Sequence, residues 1–290
     1  MEFYPEDAAN AADSVASSAL FAGHTVLLPA ISNANLGQLT LDLVLNTLLQ
    51  NGEAFDVELT RVGHLLSEEA PPIAGGAAFA TQQPHSLCLN LEVYQSKEKK
   101  ITLIQQRAPV LPGRAHAFVQ ELVQWAKSNK VATIGVVAGC DDMLRHDPNM
   151  MSRPIRTIYS ADVAKLDEAF TTRFEGLTTS SEGTQAAESP SSSADQWEPI
   201  RGAGLAPLLH AKCDEHKLPF IAWVMPCSEG NNVPDAAAMA AQLFRSLRIV
   251  PKVHADPATV SNSMPAMLPF AFPPSWNQLF GRGPDVSLYL

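Results

Sequence analysis

Short apolar runs alternate with amphipathic segments along most of this chain, and this alternation constrains the fold more than any other feature of the sequence. Three apolar runs have the length of buried strands, namely 25–29, 132–138 and 220–225. Four segments carry apolar residues at helical spacing, namely 36–50, 118–125, 203–216 and 234–248. Strands that alternate with helices predict an α/β fold, a three-layer sandwich with a mostly parallel sheet.

Residues 87–106 predict an antiparallel hairpin within this pattern. Apolar and polar residues alternate in its first half, and the polar turn 96–100 precedes a second apolar run. A further strand is predicted over 55–63, because Gly52 is expected to end the first long helix.

The composition separates a central domain from less regular parts of the chain. Residues 1–22 are rich in Ala, Ser and Asp and predict a flexible N-terminal extension. The α/β domain is expected over 23–268, interrupted at 178–196, where Ser, Thr, Glu, Ala and Gln predict a disordered insertion. Residues 269–290 form a C-terminal segment that contains several prolines and glycines.

Charge, hydropathy and cysteine content exclude several classes of protein. The formal net charge is −10 and the chain has no dense Lys/Arg stripe, which argues against a nucleic-acid partner. No apolar run reaches the ~18 residues that a membrane span needs. The four cysteines form no CxxC pair and are typical of reduced thiols, so we expect the protein in the cytoplasm and nucleus.

The chain ends in Leu288, Tyr289 and Leu290, and this tripeptide is a candidate docking element. The aliphatic side chain and the phenol ring can fill an apolar cleft, while the terminal carboxylate can pair with a lysine. Prolines stiffen the preceding segment, and Gly281 and Gly283 loosen it just before the tip. An ordinary frayed terminus is the alternative interpretation.

Two groups of reactive side chains lie on predicted elements, but neither pattern is typical of a catalytic or metal site. His210 and His216, with Cys213 between them, cannot all face one ion, because the two histidines are about 240° apart around a helix. The Cys-Asp-Asp run at 140–142 follows a strand, where α/β enzymes place catalytic groups, but nothing fixes nearby His146 as its base.

Two loops that precede predicted helices have features of anion sites. Gly202-Ala203-Gly204 resembles half of a phosphate loop but lacks the third glycine and a Lys-Ser/Thr pair. The loop 32–37 joins a strand to a helix, where a small anion could rest, but it offers no acid–base pair. We interpret both as helix starts, the second with asparagine caps. The leucine stripe of the following helix is core or, if one face is exposed, an interface.

Three blocks in this order and at this spacing resemble the proteasome assembly chaperone family. They are GHTVLLPAISNANLGQLTLDL at 23–43, SEGNNVPDA at 228–236 and PSWNQLFG at 274–281. None of the blocks is catalytic, and their specificity lies in the combination. The N-terminal extension and the insertion are not features of the family.

The resemblance implies an α/β fold similar in shape to nucleoside phosphorylases without their activity, so we expect neither an enzyme nor a bound cofactor or metal. It implies a heterodimer with proteasome assembly chaperone 1 on the outer face of the α-subunit ring of the 20S core particle. There the pair promotes ring formation and blocks off-pathway dimers of rings. Leu288, Tyr289 and Leu290 match the hydrophobic-Tyr-any tails with which the family enters pockets between α subunits.

Two other functions remain open at the level of sequence. One is a small-molecule enzyme of phosphorylase-like fold, with loop 32–37 as its anion site. The other is a generic adaptor that uses the same C-terminal tail to bind partners unrelated to proteasomes.

Overall fold

The computed structural model describes residues 1–6, 19–143, 154–160, 193–252 and 270–278. In this part of the chain the strands are, in order, β1 (Glu2–Pro5), β2 (Thr25–Pro29), β3 (Thr60–Leu66), β4 (Ala74–Gly76), β5 (Leu87–Leu89), β6 (Glu92–Ser96), β7 (Ile101–Gln105), β8 (Thr133–Asp141), β9 (Arg156–Tyr159) and β10 (Phe220–Cys227). The helices are α1 (Leu36–Phe55), α2 (Ala115–Ser128), α3 (Ser193–Trp197), α4 (Ala206–His216) and α5 (Val233–Ser246).

Eight of the strands form one sheet in the order β1-β3-β6-β7-β2-β8-β10-β9, and β4 and β5 form a small separate pair. The four neighbouring strands β7, β2, β8 and β10 are parallel. The strands at both margins are antiparallel, which makes the whole sheet mixed. The predicted α/β class with a parallel centre is confirmed.

Helices cover both faces of this sheet, which gives the predicted three layers. Side chains of a strand point alternately to opposite faces, so Leu27 joins the core beneath α1 and α5. Val26 and Leu28 join the core beneath α2 and α4. No helix among the described residues is long and apolar enough to cross a membrane.

Two predicted boundaries within the domain are wrong. Helix α1 is interrupted near its predicted end by a kink at Asn51 (φ −118°, ψ 22°) but resumes past Gly52 to Phe55, whose buried ring packs edge-to-face on Phe244 at 5.2 Å. The helix ends at Asp56, which adopts φ 54°, and the Val57 N–H then donates to the Gly52 carbonyl. The next strand therefore starts only at Thr60.

The predicted hairpin forms between β6 and β7, but residues 87–94 are not one strand. Leu91 adopts φ 59°, which breaks the run into β5 and β6. β5 leaves the large sheet and pairs with β4. Alternation of apolar residues continued across this break, so the pattern alone could not show it.

The predicted flexible extension at 1–22 is wrong at both of its ends. β1 pairs antiparallel with β3 at the edge of the large sheet. Phe3 packs edge-to-face on the fully buried Phe21 at 5.0 Å, and Phe21 packs on Trp125 at 4.8 Å. Three aromatic rings thus attach this segment to α2, while residues 7–18 lie outside the described residues.

The predicted insertion at 178–196 is too long at its C-terminal end. Residues 193–196 belong to α3, which ends in the buried Trp197. The indole N–H of Trp197 donates to His210 Nδ1 at 3.0 Å, and this bond fixes α3 against α4. Residues 178–192 lie outside the described residues, so their predicted disorder stays a prediction.

We expect Phe3→Ala to lower the free energy of unfolding by about 1–2 kcal/mol, because a half-buried ring loses its contact with Phe21. Chemical denaturation measures this change. Glu2→Ala, at an exposed position of the same strand, is the control and should cost far less. Equal values for the two variants would show that β1 contributes nothing specific to the core.

We expect the free energy of unfolding to fall as the pH drops below about 6.5, the ordinary pKa of histidine. Burial lowers the pKa of His210, only partly opposed by Asp214, and the ring also stacks on Phe220. As the pH falls, His210 is therefore protonated in the unfolded chain before it is protonated in the folded chain. The free energy of unfolding decreases until the pH reaches the pKa of His210 in the folded state. Above about pH 7 both states are neutral and the effect vanishes.

Urea titrations between pH 7.5 and 5.5 measure this slope. His210→Asn, whose side-chain oxygen can accept from Trp197, should flatten it. The exposed His85→Gln should keep the slope of the natural sequence. An unchanged slope in His210→Asn would contradict the assignment.

Candidate protein-interaction site

The candidate docking tripeptide Leu288-Tyr289-Leu290 lies outside the described residues, but an earlier part of the C-terminal segment, residues 270–278, is placed. Residues 270–278 lie along the side of α1, next to α5. Phe270 packs on Phe244 of α5 at 5.7 Å, and the buried Trp276 lies in the same core. The third recognisable block of the sequence is thus the attachment point of the C-terminal segment, here called the C-terminal anchor (residues 270–278).

Polar side chains of α1 hold the backbone of this anchor. The Asn46 side-chain amide donates to the Ala271 carbonyl at 2.7 Å, and the Ala271 N–H donates to Thr47 Oγ1 at 3.1 Å. Asn46 and Thr47 are fully buried, and they satisfy both backbone groups of the half-buried Ala271. Asn46 Oδ1 also accepts from the Ala80 N–H at 2.9 Å, which ties a third segment to the same amide.

A buried carboxylate lies one turn before Asn46 on α1. Asp42 accepts from Gln105 Nε2 at 2.7 Å and pairs with Arg107 at 3.1 Å. Burial raises the pKa of Asp42, while Arg107, Gln105 and the Trp276 indole oppose that shift. The Arg107 guanidinium in turn lies over the Phe79 ring at 5.3 Å. The carboxylate therefore joins α1 to β7 and to Arg107, which follows that strand.

The buried polar contacts of α1 could have been predicted from the sequence, but the leucine periodicity of the helix drew attention away from its polar residues. Asp42 and Asn46 are four residues apart and so lie on one face of α1, inside a helix that is otherwise mostly apolar. Polar side chains buried in such a helix require partners. The leucine stripe itself is core, and the partners of its polar neighbours come from distant parts of the chain, around residues 80, 105 and 271.

The first two recognisable blocks meet at the carboxyl edge of the parallel strands. Asn33 Nδ2 donates to the Cys227 carbonyl at 2.6 Å, and the Ala34 N–H donates to Glu229 Oε1 at 3.2 Å. Ser32 Oγ accepts from the Gly139 N–H at 2.8 Å. The loop after β2 is therefore joined to the ends of both β8 and β10.

The expected asparagine caps do not form. Asn35 precedes α1 with φ 52°, and its side chain makes no capping bond but accepts from Gln38 Nε2 at 3.4 Å. The carboxylate of Glu229, near the helix start, engages the Ala34 N–H. The position where a small anion could rest is thus approached by a carboxylate of the chain itself.

Glycines allow a second loop to fit closely against the first. The Asn33 N–H donates to the Gly202 carbonyl, and the Leu205 N–H donates to the Ala30 carbonyl, each at 2.9 Å. Gly204 has φ +58°, and a Cβ at this position would lie 2.2 Å from the Ile31 carbonyl oxygen. The half phosphate loop is confirmed as a turn before α4, and its glycine serves loop packing.

A small cavity opens beside this edge. It measures about 20 Å³ and is lined by residues of β8, β9 and β10 and by Pro199, Ile200 and Arg201. Pockets for drug-sized ligands have volumes of roughly 300–1,000 Å³, so this cavity holds at most about one water molecule.

The other reactive side chains are structural. His210 and Cys213 are buried, and burial raises the pKa of the Cys213 thiol, which keeps it protonated. Cys140 lies in the apolar core, the Asp141 carboxylate accepts from the Met143 N–H, and His146 lies outside the described residues. Among the residues that the structure places, no three His, Cys, Asp or Glu side chains are grouped to hold a metal ion.

Comparison with known proteins identifies the family to which this architecture belongs. The sequence model of the PAC2 family matches residues 26–254, which is most of the chain. The chain belongs to the PAC2 family.

Relatives of this PAC2-family chain include proteasome assembly chaperone 2 from Bos taurus, 27% identical over 270 residues that cover 92% of this chain and 96% of that protein. Proteasome assembly chaperone 2 from Danio rerio is 29% identical, with 91% and 94% covered. The resemblance of the three sequence blocks to this family is confirmed.

Solved structures share the fold at much lower identity. A protein of unknown function from Thermoplasma acidophilum superposes with a TM-score of 0.53 at 14% identity, covering 86% of each chain. PbaA from Pyrococcus furiosus, an archaeal homologue of proteasome-assembly chaperone, gives 0.51 at 13% identity, covering 81% and 82%. The PAC2 architecture is thus retained where little sequence is shared.

We expect Gly204→Ala to destabilise this PAC2-family fold by at least about 2 kcal/mol more than Gly113→Ala. Both glycines have positive φ, but a Cβ on Gly113 meets nothing within 4 Å, whereas one on Gly204 meets two carbonyl oxygens. Thermal and urea unfolding of the two variants separate the cost of close packing from the cost of the backbone conformation. Similar losses would contradict the close contact between the loops.

Proposed function

We propose that this chain is a chaperone for assembly of the 20S proteasome. It acts as a heterodimer with proteasome assembly chaperone 1 on the α-subunit ring, promotes ring formation and prevents off-pathway ring dimers. The observation that carries the proposal is the similarity to proteasome assembly chaperone 2 over more than nine-tenths of both chains.

Leu288, Tyr289 and Leu290 dock on the ring in this proposal. The position of the C-terminal anchor supports it, because Trp276 is buried in the core beside α1 and Leu288 follows it by 12 residues in the sequence. Twelve residues span at most roughly 40 Å, so the tip can reach a pocket well beyond the domain surface. An apolar residue, a tyrosine and a carboxylate provide three different contacts within that pocket.

The proposal makes the chain a binding protein and not an enzyme. The proposal is supported by the contacts at the carboxyl edge of the sheet, which is where α/β enzymes have their active sites. The backbone donors Asn33, Ala34 and Gly139 are already bonded to groups of the chain itself. In this proposal the chain acts by binding an assembly intermediate, without a chemical step.

We place this activity in the cytoplasm and nucleus. All four cysteines are buried and unbridged, as in proteins that fold in a reducing compartment. The net charge of −10 suits a protein that is soluble and is attracted to basic partner surfaces.

We expect Tyr289→Ala to weaken binding to isolated α rings by roughly 1–4 kcal/mol, as the loss of an aromatic anchor at an interface does. The melting temperature should stay the same, because the change lies beyond the C-terminal anchor. Surface-immobilised rings and the purified full-length chain measure the affinity. Ser287→Ala, in the same tail, is the matched control and should bind like the natural sequence.

Equal binding by the Tyr289→Ala and Ser287→Ala variants would contradict the proposal that the C-terminal tripeptide binds the ring. Loss of partners other than α subunits would instead favour a generic adaptor.

A further inference from the structure

Three exposed lysines lie along the edge of the sheet at which the parallel strands begin. Lys100 directly precedes β7, Lys130 shortly precedes β8 and Lys217 shortly precedes β10. These strands are neighbours in the order β7-β2-β8-β10, and adjacent strands are about 4.8 Å apart. The three residues therefore form a row roughly 14 Å long, here called the lysine row (Lys100, Lys130 and Lys217).

Backbone contacts with the start of β2 hold two members of the lysine row in place. The Thr25 N–H donates to the Lys100 carbonyl, and the Gly23 N–H donates to the Lys130 carbonyl, each at 2.9 Å. A Cβ on Gly23 would lie 4.0 Å from Lys100 Nζ. The Lys100 ammonium group thus lies beside the start of β2, which is the strand between β7 and β8.

All three lysines adopt a backbone conformation that glycine favours. Their φ angles are 51°, 55° and 53°, in the left-handed region. Lys130 and Lys217 follow the last turns of α2 and α4, a position where glycine is the usual residue. The geometry of the turns therefore does not explain the lysines. A cation also gains from the dipole at the end of a helix, but Lys100 follows a strand, where no such dipole exists.

The ammonium groups of the lysine row are not paired with carboxylates. None of the three forms a salt bridge with a residue that the structure describes. Asp214 and Glu215, which precede Lys217, pair with other residues of α4. Glu98, in the turn before Lys100, lines a cleft beside the end of α1, on the other side of the sheet from α2 and α4. The row is thus a local cationic surface on a chain of net charge −10.

We propose that the lysine row is a docking site for an acidic, extended segment of a partner protein. In an extended chain every second side chain points the same way, and such side chains are roughly 6.7 Å apart. Glutamates at three alternate positions therefore span roughly 13 Å, close to the length of the row. The row lies at the edge of the sheet opposite the contacts of loop 32–37, and the inference does not depend on the C-terminal tripeptide.

The number of cations favours a protein segment over other polyanions. Nucleic-acid sites neutralise more phosphates, on the order of six to ten, and a net charge of −10 repels a nucleic acid. Segments that bind anionic lipids carry about four to eight clustered lysines or arginines. Three unpaired cations match a short run of carboxylates.

Peptide binding to the full-length chain tests the proposal. The probe is a fluorescent peptide with glutamate at four alternate positions and glycine between them, and the same peptide with glutamine is the control ligand. Lys100→Gly, Lys130→Gly and Lys217→Gly are combined in one variant. Glycine suits all three backbone conformations, so the melting temperature should not fall. We expect fluorescence anisotropy in 50 mM salt to show at least about fivefold weaker binding by this variant.

A second triple variant separates the site from the overall charge. Arg201→Gln, Arg245→Gln and Lys252→Gln remove the same three positive charges from exposed positions. Arg201 lines the small cavity at the opposite edge, Arg245 lies on α5, and Lys252 pairs with Asp56 after α1. This variant should bind the glutamate peptide like the natural sequence. Equal weakening in both triple variants, or equal binding of the glutamate and glutamine peptides, would overturn the proposal.

Carbodiimide cross-linking locates the bound peptide, because it joins a glutamate carboxylate to a nearby lysine as an amide. We expect the cross-links to concentrate on the lysine row, and an even spread over the exposed lysines would contradict the site. Tighter binding to duplex DNA or to vesicles with anionic lipid at the same salt would replace the protein segment by another class of partner. Self-association that the glycine variant loses, without any peptide binding, would make a second copy of this chain the occupant and overturn the proposal.

Discussion

Helix α1 buries polar side chains as well as leucines, and the need to satisfy those polar groups organises the rest of the molecule. Its apolar residues pack on the sheet and on α5. Asp42 finds its partners on and just after β7, while Asn46 and Thr47 find theirs in residues 78–80 and in the C-terminal anchor. Segments separated by more than two hundred residues are thereby held on one helix.

The sequence predicted the layers of the fold because the apolar periodicities of strand and helix differ. The predicted element boundaries were wrong where the backbone turns at a single residue. Leu91 and Asp56 adopt positive φ without being glycine, so nothing in the apolar pattern marks the end of β5 or the true end of α1. Phe3 was overlooked for a different reason, since its contact with Phe21 depends on which strand lies at the sheet edge. Long-range pairing of this kind is invisible in local composition.

The candidate site was predictable in part. The side chains and carboxylate of the C-terminal tripeptide predict a docking element whatever the fold is. The three blocks that resemble the family were likewise recognised from the sequence alone. Their roles became clear only in three dimensions. Two of the blocks meet at the carboxyl edge of the sheet, where Asn33 bonds to Cys227 and Ala34 to Glu229. The third buries Trp276 in the core on the α1 side of the sheet.

A chaperone of assembly has to bind an intermediate well and the finished particle poorly. Two modest contacts joined by a short tether achieve the first requirement, since the second contact forms at high effective concentration. Two joined contacts also allow weak binding to the finished particle. If a change in the ring displaces one contact, the other no longer gains from a high effective concentration.

Mass spectrometry of the intact complexes purified with this chain from its own cells tests the central claim most directly. The account predicts one copy of this chain, one copy of a partner chaperone and a set of α subunits, without a completed two-ring particle. Purification of the chain without α subunits, or with finished particles alone, would contradict it.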